Sequence, residues 1–285
     1  MEQKDQKTAR KSPKKRLVIG LSVSLSVLVP FLLYSWFLGR SDPQTIESFC
    51  AQGNCQCTDW YRGDAGAYTV ENNVWNKGEN QQYQQCVTIQ AADPGVAAGW
   101  AWNWPGVRFN VVAYPNLMYG KNPWLPSTSP NLPAHVGELG CLQVDFEVEQ
   151  SGSGKGNLAF DLWITREAAS QPEDISGEIM IWLSRQGFKP PGLRLDRVDL
   201  GGETVDFYRK ENHQATEGTV WTFYAFVYPE GFTQGSLDLD EVLDYLVTNG
   251  YVSSDEYLSG IQLGNEVVSG YGQTWVRHYE VRFCE

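Results

Sequence analysis

Two glutamates stand where a β-strand has no structural use for them. In Gly177–Leu183, strict alternation puts Glu178, Met180 and Trp182 on one face and Ile179, Ile181 and Leu183 on the other. In Ile261–Val267 the same period sets Ile261, Leu263 and Val267 against Gln262, Gly264 and Glu266. An acid, a thioether and an indole make a poor solvent face and a suitable floor for a groove that holds a sugar ring. A solvated edge Glu beside two half-buried large residues is the plainer alternative. Hydrolysis of a glycosidic bond with retention needs two carboxyl groups about 5 to 5.5 Å apart, one to attack the anomeric carbon and one to protonate the leaving oxygen. Two facing strands can supply that geometry. A third acid has the same phase: in Leu158–Thr165 the apolar Leu158, Phe160, Leu162 and Ile164 share one face, so Asp161 and Trp163 share the other. Beside Glu178, Asp161 would form a cluster that resists full ionisation and keeps a proton near neutral pH. A solvated Asp near a turn is the alternative.

These residues resemble glycoside hydrolase family 12. The likeness rests on five stretches that follow the family's order. They are Asn73-Val74-Trp75-Asn76, Trp100 to Trp104 with Val112-Ala113-Tyr114-Pro115-Asn116, Phe160-Asp161-Leu162-Trp163, Glu178-Ile179-Met180-Ile181-Trp182, and Leu263-Gly264-Asn265-Glu266. It covers roughly residues 55–285. The resemblance implies that Glu178 is the nucleophile, Glu266 the general acid/base, and Asp161 a supporting acid that hydrogen-bonds the nucleophile. It also implies a disulfide from Cys55 or Cys57 to Cys86; a Cys141–Cys284 bridge is a further expectation. The chain departs from the family at Asn265 and Val267-Val268, where Thr and Pro-Phe or Pro-Trp are frequent, which puts contacts to the leaving group in question.

Composition frames these residues. The 285-residue chain has 28 Gly, 14 Pro and 11 Trp and is 13% aromatic, a mixture of strand and turn formers long enough for one sizeable core. Residues 1–40 carry eight Lys or Arg against Glu2 and Asp5, about +6, which leaves about −18 for the rest of a chain whose net charge is −12. Such a body does not bind nucleic acid, whereas a neutral polysaccharide tolerates it. The basic segment 1–16 precedes an uncharged run, 17–38, that as a helix would span about 33 Å. With its basic side cytoplasmic and no small-x-small cleavage site at its end, the run predicts an uncleaved membrane anchor; a cleaved signal peptide is the alternative. Either places the body outside the cytoplasm. All six Cys follow the run and fit disulfides there. Only three His are present, none at ligand spacing to the Cys, so no metal or other cofactor is expected.

Residues 39–54 read as a tether and 55–285 as one catalytic domain. Strands are predicted over 68–76, 83–90, 99–104, 108–114, 141–150, 158–165, 178–183, 203–209, 219–228, 259–267 and 273–283. One helix, Asp238–Val247, has acids in its first turn and Gly250 as its stop. Many strands with a single late helix predict an all-β jelly-roll sandwich of two antiparallel sheets, one curved to leave a cleft. Alternation puts Asn73 and Trp75 on one face, Trp75 as a sugar-stacking platform and Asn73 as a donor to a substrate hydroxyl. Met180 and Trp163 complete the expected binding surface, and Trp100, Trp102 and Trp104 are assigned to the core. His135, His213 and His278 lack partners for a His-based mechanism. Gly152–Gly156 lacks the ending of a phosphate loop and reads as a hairpin loop. The whole predicts a monomeric, retaining endoglucanase acting on β-1,4 bonds of cellulose, mixed-linkage glucan or xyloglucan. A non-catalytic sugar-binding jelly roll and a related xylanase are the alternatives.

Overall fold

The computed structural model describes residues 42–80, 82–169, 171–214 and 218–283. The expected basic segment and apolar run lie outside the described residues, and no described helix is long and apolar enough to cross a membrane. Two α-helices are described, α1 (Gln44–Cys50) and α2 (Leu239–Thr248). The strands are β1 (Arg62–Ala65), β2 (Tyr68–Glu71), β3 (Gln84–Ala91), β4 (Val96–Trp104), β5 (Asn116–Gly120), β6 (Ala134–His135) and β7 (Leu142–Thr165). They continue with β8 (Ile175–Gln186), β9 (Leu193–Leu200), β10 (Glu203–Gln214), β11 (Val220–Val227), β12 (Gln234–Asp238), β13 (Tyr257–Gly264) and β14 (Val267–Phe283).

The strands are hydrogen-bonded into one sheet, not two, because β7 belongs to both layers. Its first half pairs with β12 and β14, and its second half with β8 and β13. A continuous path runs β1-β2-β5-β13-β7-β8-β11-β10-β9, while β14 leads on to β4 and β3. Pairing is antiparallel except between β8 and β11, which are parallel. The expected pair of purely antiparallel sheets is corrected on both counts.

Between its halves β7 folds over. Phe146 and Phe160 are 14 residues apart, about 46 Å along a straight strand, yet their ring centroids are 5.4 Å apart. The crease is the glycine-rich stretch expected to be a hairpin loop. It is instead strand, with Gly152, Ser153 and Gly154 paired to Gly272, Tyr271 and Gly270. Glycine is needed where the bent ladder brings backbones together. Gly270 has φ +97°, and a Cβ there would sit 2.2 Å from the Ser153 carbonyl oxygen.

Folding over closes the core. Leu158, Phe160, Leu162 and Ile164 of β7, Ile179, Ile181 and Leu183 of β8, and Ile261 and Leu263 of β13 are all buried. They pack with Leu142, Val144, Phe146 and Val148 from the other half of β7. Each such side chain contributes about 1.5–3 kcal/mol when fully buried. Trp100, Trp102 and Trp104 lie in this core, as expected. The predicted helix is α2, capped by the Asp238 carboxylate, which accepts from the Asp240 N–H, and packed through Leu239, Val242, Leu243 and Leu246.

Three local expectations fail for identifiable reasons. The segment read as a tether contains α1, whose Ile46 and Phe49 share one side and bury against Cys86, Ala101 and Trp275. Bridges Cys50–Cys55 and Cys57–Cys86 tie it to β3; the second is one of the two pairings the resemblance allowed. Cys141 is also disulfide-bonded, and its expected partner Cys284 lies outside the described residues. The strand expected over 68–76 ends at Glu71, because the Asn72 amide turns inward to donate to the carbonyls of Thr58 and Gln85. Residues 108–114 form a loop whose one ladder contact is a bridge from Ala113 to Val267.

Candidate active site

Glu178 lies on β8 and Glu266 in the two-residue break between β13 and β14, with β7 between them. They are thus two strands apart in one sheet, not on the two facing strands first envisaged. Asp161 sits on the intervening strand, paired with Met180 on one side and Gln262 on the other; two residues along, Trp163 pairs with Glu178. Register therefore brings Glu178, Asp161, Met180 and Trp163 to one place, and Glu266, just past the end of β13, lies near enough to feel the Glu178 charge.

Glu178 is held from β11 and β10. Its Oε2 accepts a hydrogen bond of 2.6 Å from Trp221 Nε1, and His213 Nε2 is 4.0 Å from the same oxygen. A bulge between Lys210 and His213, with Asn212 at φ +51°, aims the imidazole there. Burial pushes Glu178 up to about 7, and the Trp221 hydrogen bond opposes it. Burial, then Lys210, pushes His213 down to about 4, so it is neutral where Glu178 titrates and forms no ion pair with it there.

Glu266 is clamped by Asn157. The Asn157 side-chain NH2 donates to Glu266 Oε2 (2.5 Å), the Glu266 N–H donates to Asn157 Oδ1 (3.0 Å), and the Asn157 N–H donates to the Glu266 carbonyl (3.1 Å). Beneath it, Asn265 donates to the Asn157 carbonyl (2.6 Å) and accepts from Trp100 Nε1 and Thr274 Oγ1, both at 2.7 Å. The departure from the family pattern at Asn265, Val267 and Val268 is therefore inward: all three are buried, and Asn265 braces the break that carries the acid. Burial pushes Glu266 up to about 8, with the Glu178 charge adding to the rise. Asp161 is raised well above its ordinary value by burial, then by Glu178 and Glu266, and its Oδ1 has no protein partner.

The remaining expected residues are distributed less simply. Met180 is buried, in a second apolar cluster with Tyr114, Trp182, Phe223 and Ala225, so it underlies the floor. Trp163 is 7% exposed with an unpartnered Nε1, between Trp124 and Trp221 at 5.2 and 5.5 Å. Asn73 and Trp75 do not share a strand face: they lie in the loop after β2, where Asn73 Oδ1 accepts from the Trp75 N–H. Asn73 Nδ2 donates to the buried Glu71, and Trp75 is 44% exposed. The Asn73 carbonyl accepts from the N–H of Tyr114, which joins this loop to the site. Tyr114 itself is buried, donates its hydroxyl to the Ala159 carbonyl, and is raised by burial and then by the charges of Asp161 and Glu266.

Sequence reasoning missed Trp221, His213 and Asn157. Val220–Val227 is apolar on both faces, so alternation gives Trp221 no direction; His213 owes its aim to a bulge; and Asn157 adjoins the glycines read as a loop. Its place four residues before Asp161 would have signalled it had β7 been seen as continuous.

Known proteins share this arrangement of strands. Endoglucanase S of Pectobacterium parmentieri is 29% identical over 218 residues, covering 75% of this chain and 81% of that protein. A xyloglucan-specific endo-beta-1,4-glucanase A of Emericella nidulans is 29% identical over 221 residues, covering 75% and 84%. A family 12 xyloglucanase structure from Bacillus licheniformis superposes with a TM-score of 0.75 at 23% identity, covering 81% of this chain and 100% of that one. The family model for glycosyl hydrolase family 12 matches residues 66–281, and the chain belongs to that family.

Proposed function

We propose that the protein is a retaining endoglucanase that cleaves internal β-1,4 bonds of a glucan by double displacement. The observation that carries this reading is the placement of two buried carboxyls, Glu178 on β8 and Glu266 just past the end of β13, on either side of the β7 strand that carries Asp161. Burial raises both, Glu178 to about 7 and Glu266 to about 8, and the Glu178 charge adds to the Glu266 rise, so once Glu178 is ionised Glu266 holds its proton more firmly. Ionised Glu178 attacks the anomeric carbon while Glu266 gives its proton to the departing sugar oxygen. Glu266 then takes a proton from water, which displaces Glu178 and returns both groups to their starting states. Asp161, kept protonated by its burial, supports Glu178 as a hydrogen-bond donor. Trp75 offers a stacking face, Asn73 its remaining amide hydrogen, Trp163 its free Nε1–H, and Met180 an apolar bed beneath the reacting ring.

The relatives named for endoglucanase and xyloglucan-specific activity support an unbranched or a xylose-branched β-1,4-glucan as substrate. Disulfides support an extracytoplasmic body, which we place outside a membrane anchor formed by 17–38, acting as a monomer. The full chain, incubated with barley β-glucan, xyloglucan and xylan, is expected to release reducing ends from the glucans. Product from xylan alone would make it a xylanase, and product from none a sugar-binding module. The anchor is tested by carbonate extraction of membranes; recovery of a soluble form starting near residue 40 would replace it with a cleaved signal.

A further inference from the structure

Beside Glu266 lies a recess of different character. Lys155 and Arg185 line one space together with Asn157 and Glu266. The same two residues, with Phe109, Phe188 and Lys189, line an open cavity of about 620 Å³. Neither Glu178 nor Asp161 borders either space, so the recess extends from the Glu266 side of the pair.

Its charge is unusual for this molecule. The body beyond residue 40 carries 14 Lys and Arg and about −18 net. Seven of those cations are ion-paired with a described carboxylate. Lys155, Arg185 and Lys189 are not: among the described residues, Lys155 lies 6.0 Å from the Phe109 ring centroid and Arg185 donates to the Phe188 carbonyl. Among the residues lining these two spaces Glu266 is the one acid, so three cations on a surface otherwise rich in acids leave a local demand for a negative charge. The aromatic rings indicate what carries that charge. Phe109 is 81% exposed, too open for a core role, and presents a face on which a sugar ring can stack. Phe188 stacks on Trp182 at 5.1 Å, and Trp182 Nε1 donates to Met180 Sδ, so the floor beneath the reacting groups continues into the recess.

We propose that the recess formed by Lys155, Arg185, Lys189 and Phe109 is a subsite for a carboxylate-bearing sugar, a uronic acid carried by the glucan on the Glu266 side of the cut. The guanidinium of Arg185 can take a carboxylate bidentately, the two ammonium groups add point charges, and Phe109 covers the ring's C–H face. This subsite rests on the glucanase reading for its polymer, but its charge preference can be measured separately.

The full chain and a K155Q/R185Q/K189Q variant are compared on a soluble β-glucan and on the same glucan partly oxidised at C6 to glucuronate, at about 0.15 M ionic strength. Each contact is an exposed one and individually weak, so the ratio of kcat/KM for the oxidised over the neutral polymer is expected to fall about tenfold in the triple variant. It should fall less in R185K, which keeps the positive charge and loses only the bidentate fork. Affinity electrophoresis through gels holding each polymer reads the same ratio without catalysis. Absence of hydrolysis by the wild type would therefore count against the glucanase reading alone. An equal ratio in wild type and triple variant, by rate and by retardation, would overturn the subsite.

Discussion

Breaking a glycosidic bond requires attack at the anomeric carbon for every substrate, but a proton donor only where the leaving group is poor. Glu178→Ala is therefore expected to abolish hydrolysis of both polysaccharide and an aryl cello-oligosaccharide. Glu266→Ala should lose the polysaccharide but release a burst of phenol from the aryl substrate and then stall, with azide speeding the slow phase. Burst and azide rescue in Glu178→Ala instead would invert the roles. Glu178 also depends on Trp221, whose indole N–H donates to its carboxylate at 2.6 Å. That bond favours the ionised form, so Trp221→Phe, which keeps the ring against Trp163 and His213, should raise the Glu178 value beyond about 7. The acid limb of the kcat/KM profile should move to higher pH. A limb that stays or moves lower would show that the hydrogen bond does not set it. Glu178, Glu266 and Asp161 could be read from sequence because period-2 phase gives direction to an acid in an apolar strand. Trp221 could not, since its contact with Glu178 spans 43 positions and depends on the parallel register of β8 and β11.

Strand content was legible from alternation over five or more residues with turn formers between, and the late helix from first-turn acids, apolar residues at helical spacing and the Gly250 stop. What was not legible is how β7 joins the layers. Five glycines at 152, 154, 156, 270 and 272 look like loop material in a linear reading. In the fold they are the residues that let two long strands bend side by side while remaining paired. α1 was equally hidden, because two apolar residues in seven carry too little periodicity and its anchoring comes from disulfides. The crease predicts its own weak point. An alanine at Gly270 combines a positive φ with a Cβ at 2.2 Å from the Ser153 oxygen, so the ladder must open locally. Gly270→Ala is expected to lower the unfolding free energy by about 1–3 kcal/mol in urea titrations. It should also reduce activity, because Glu266 lies four residues away at the same bend. A loss under about 0.5 kcal/mol would mean that the crease is compliant.

Across the whole molecule, the candidate site should cost stability, and pH makes this visible. An unfolded Glu titrates near 4.3, whereas in the fold Glu178 is pushed to about 7 and Glu266 to about 8, chiefly by burial. Below about pH 4 both groups are protonated in both states, and they contribute no difference. Between those limits the native state holds protons that the unfolded chain has released, so unfolding becomes easier as pH rises, until the loss is complete above about pH 8. Glu178→Gln and Glu266→Gln remove a charge without removing volume. Each is expected to raise stability at pH 8 by about 2 kcal/mol, seen as a Tm higher by roughly 4 °C, with no gain near pH 4. The self-repulsion of a body near −18 also grows with pH, but wild type and variants share it, so the difference between them isolates the site. Asn157 and Trp221 partly compensate by hydrogen-bonding the charged forms, which makes Asn157→Ala the opposite case: Glu266 keeps its burial and loses its partner, and stability at pH 8 should fall. Calorimetric scans of the three variants at both pH values test the chain of reasoning. Gln variants no more stable than wild type at pH 8 would show that these carboxyls are well solvated in the native protein, which would remove the basis for their separated acid and base roles.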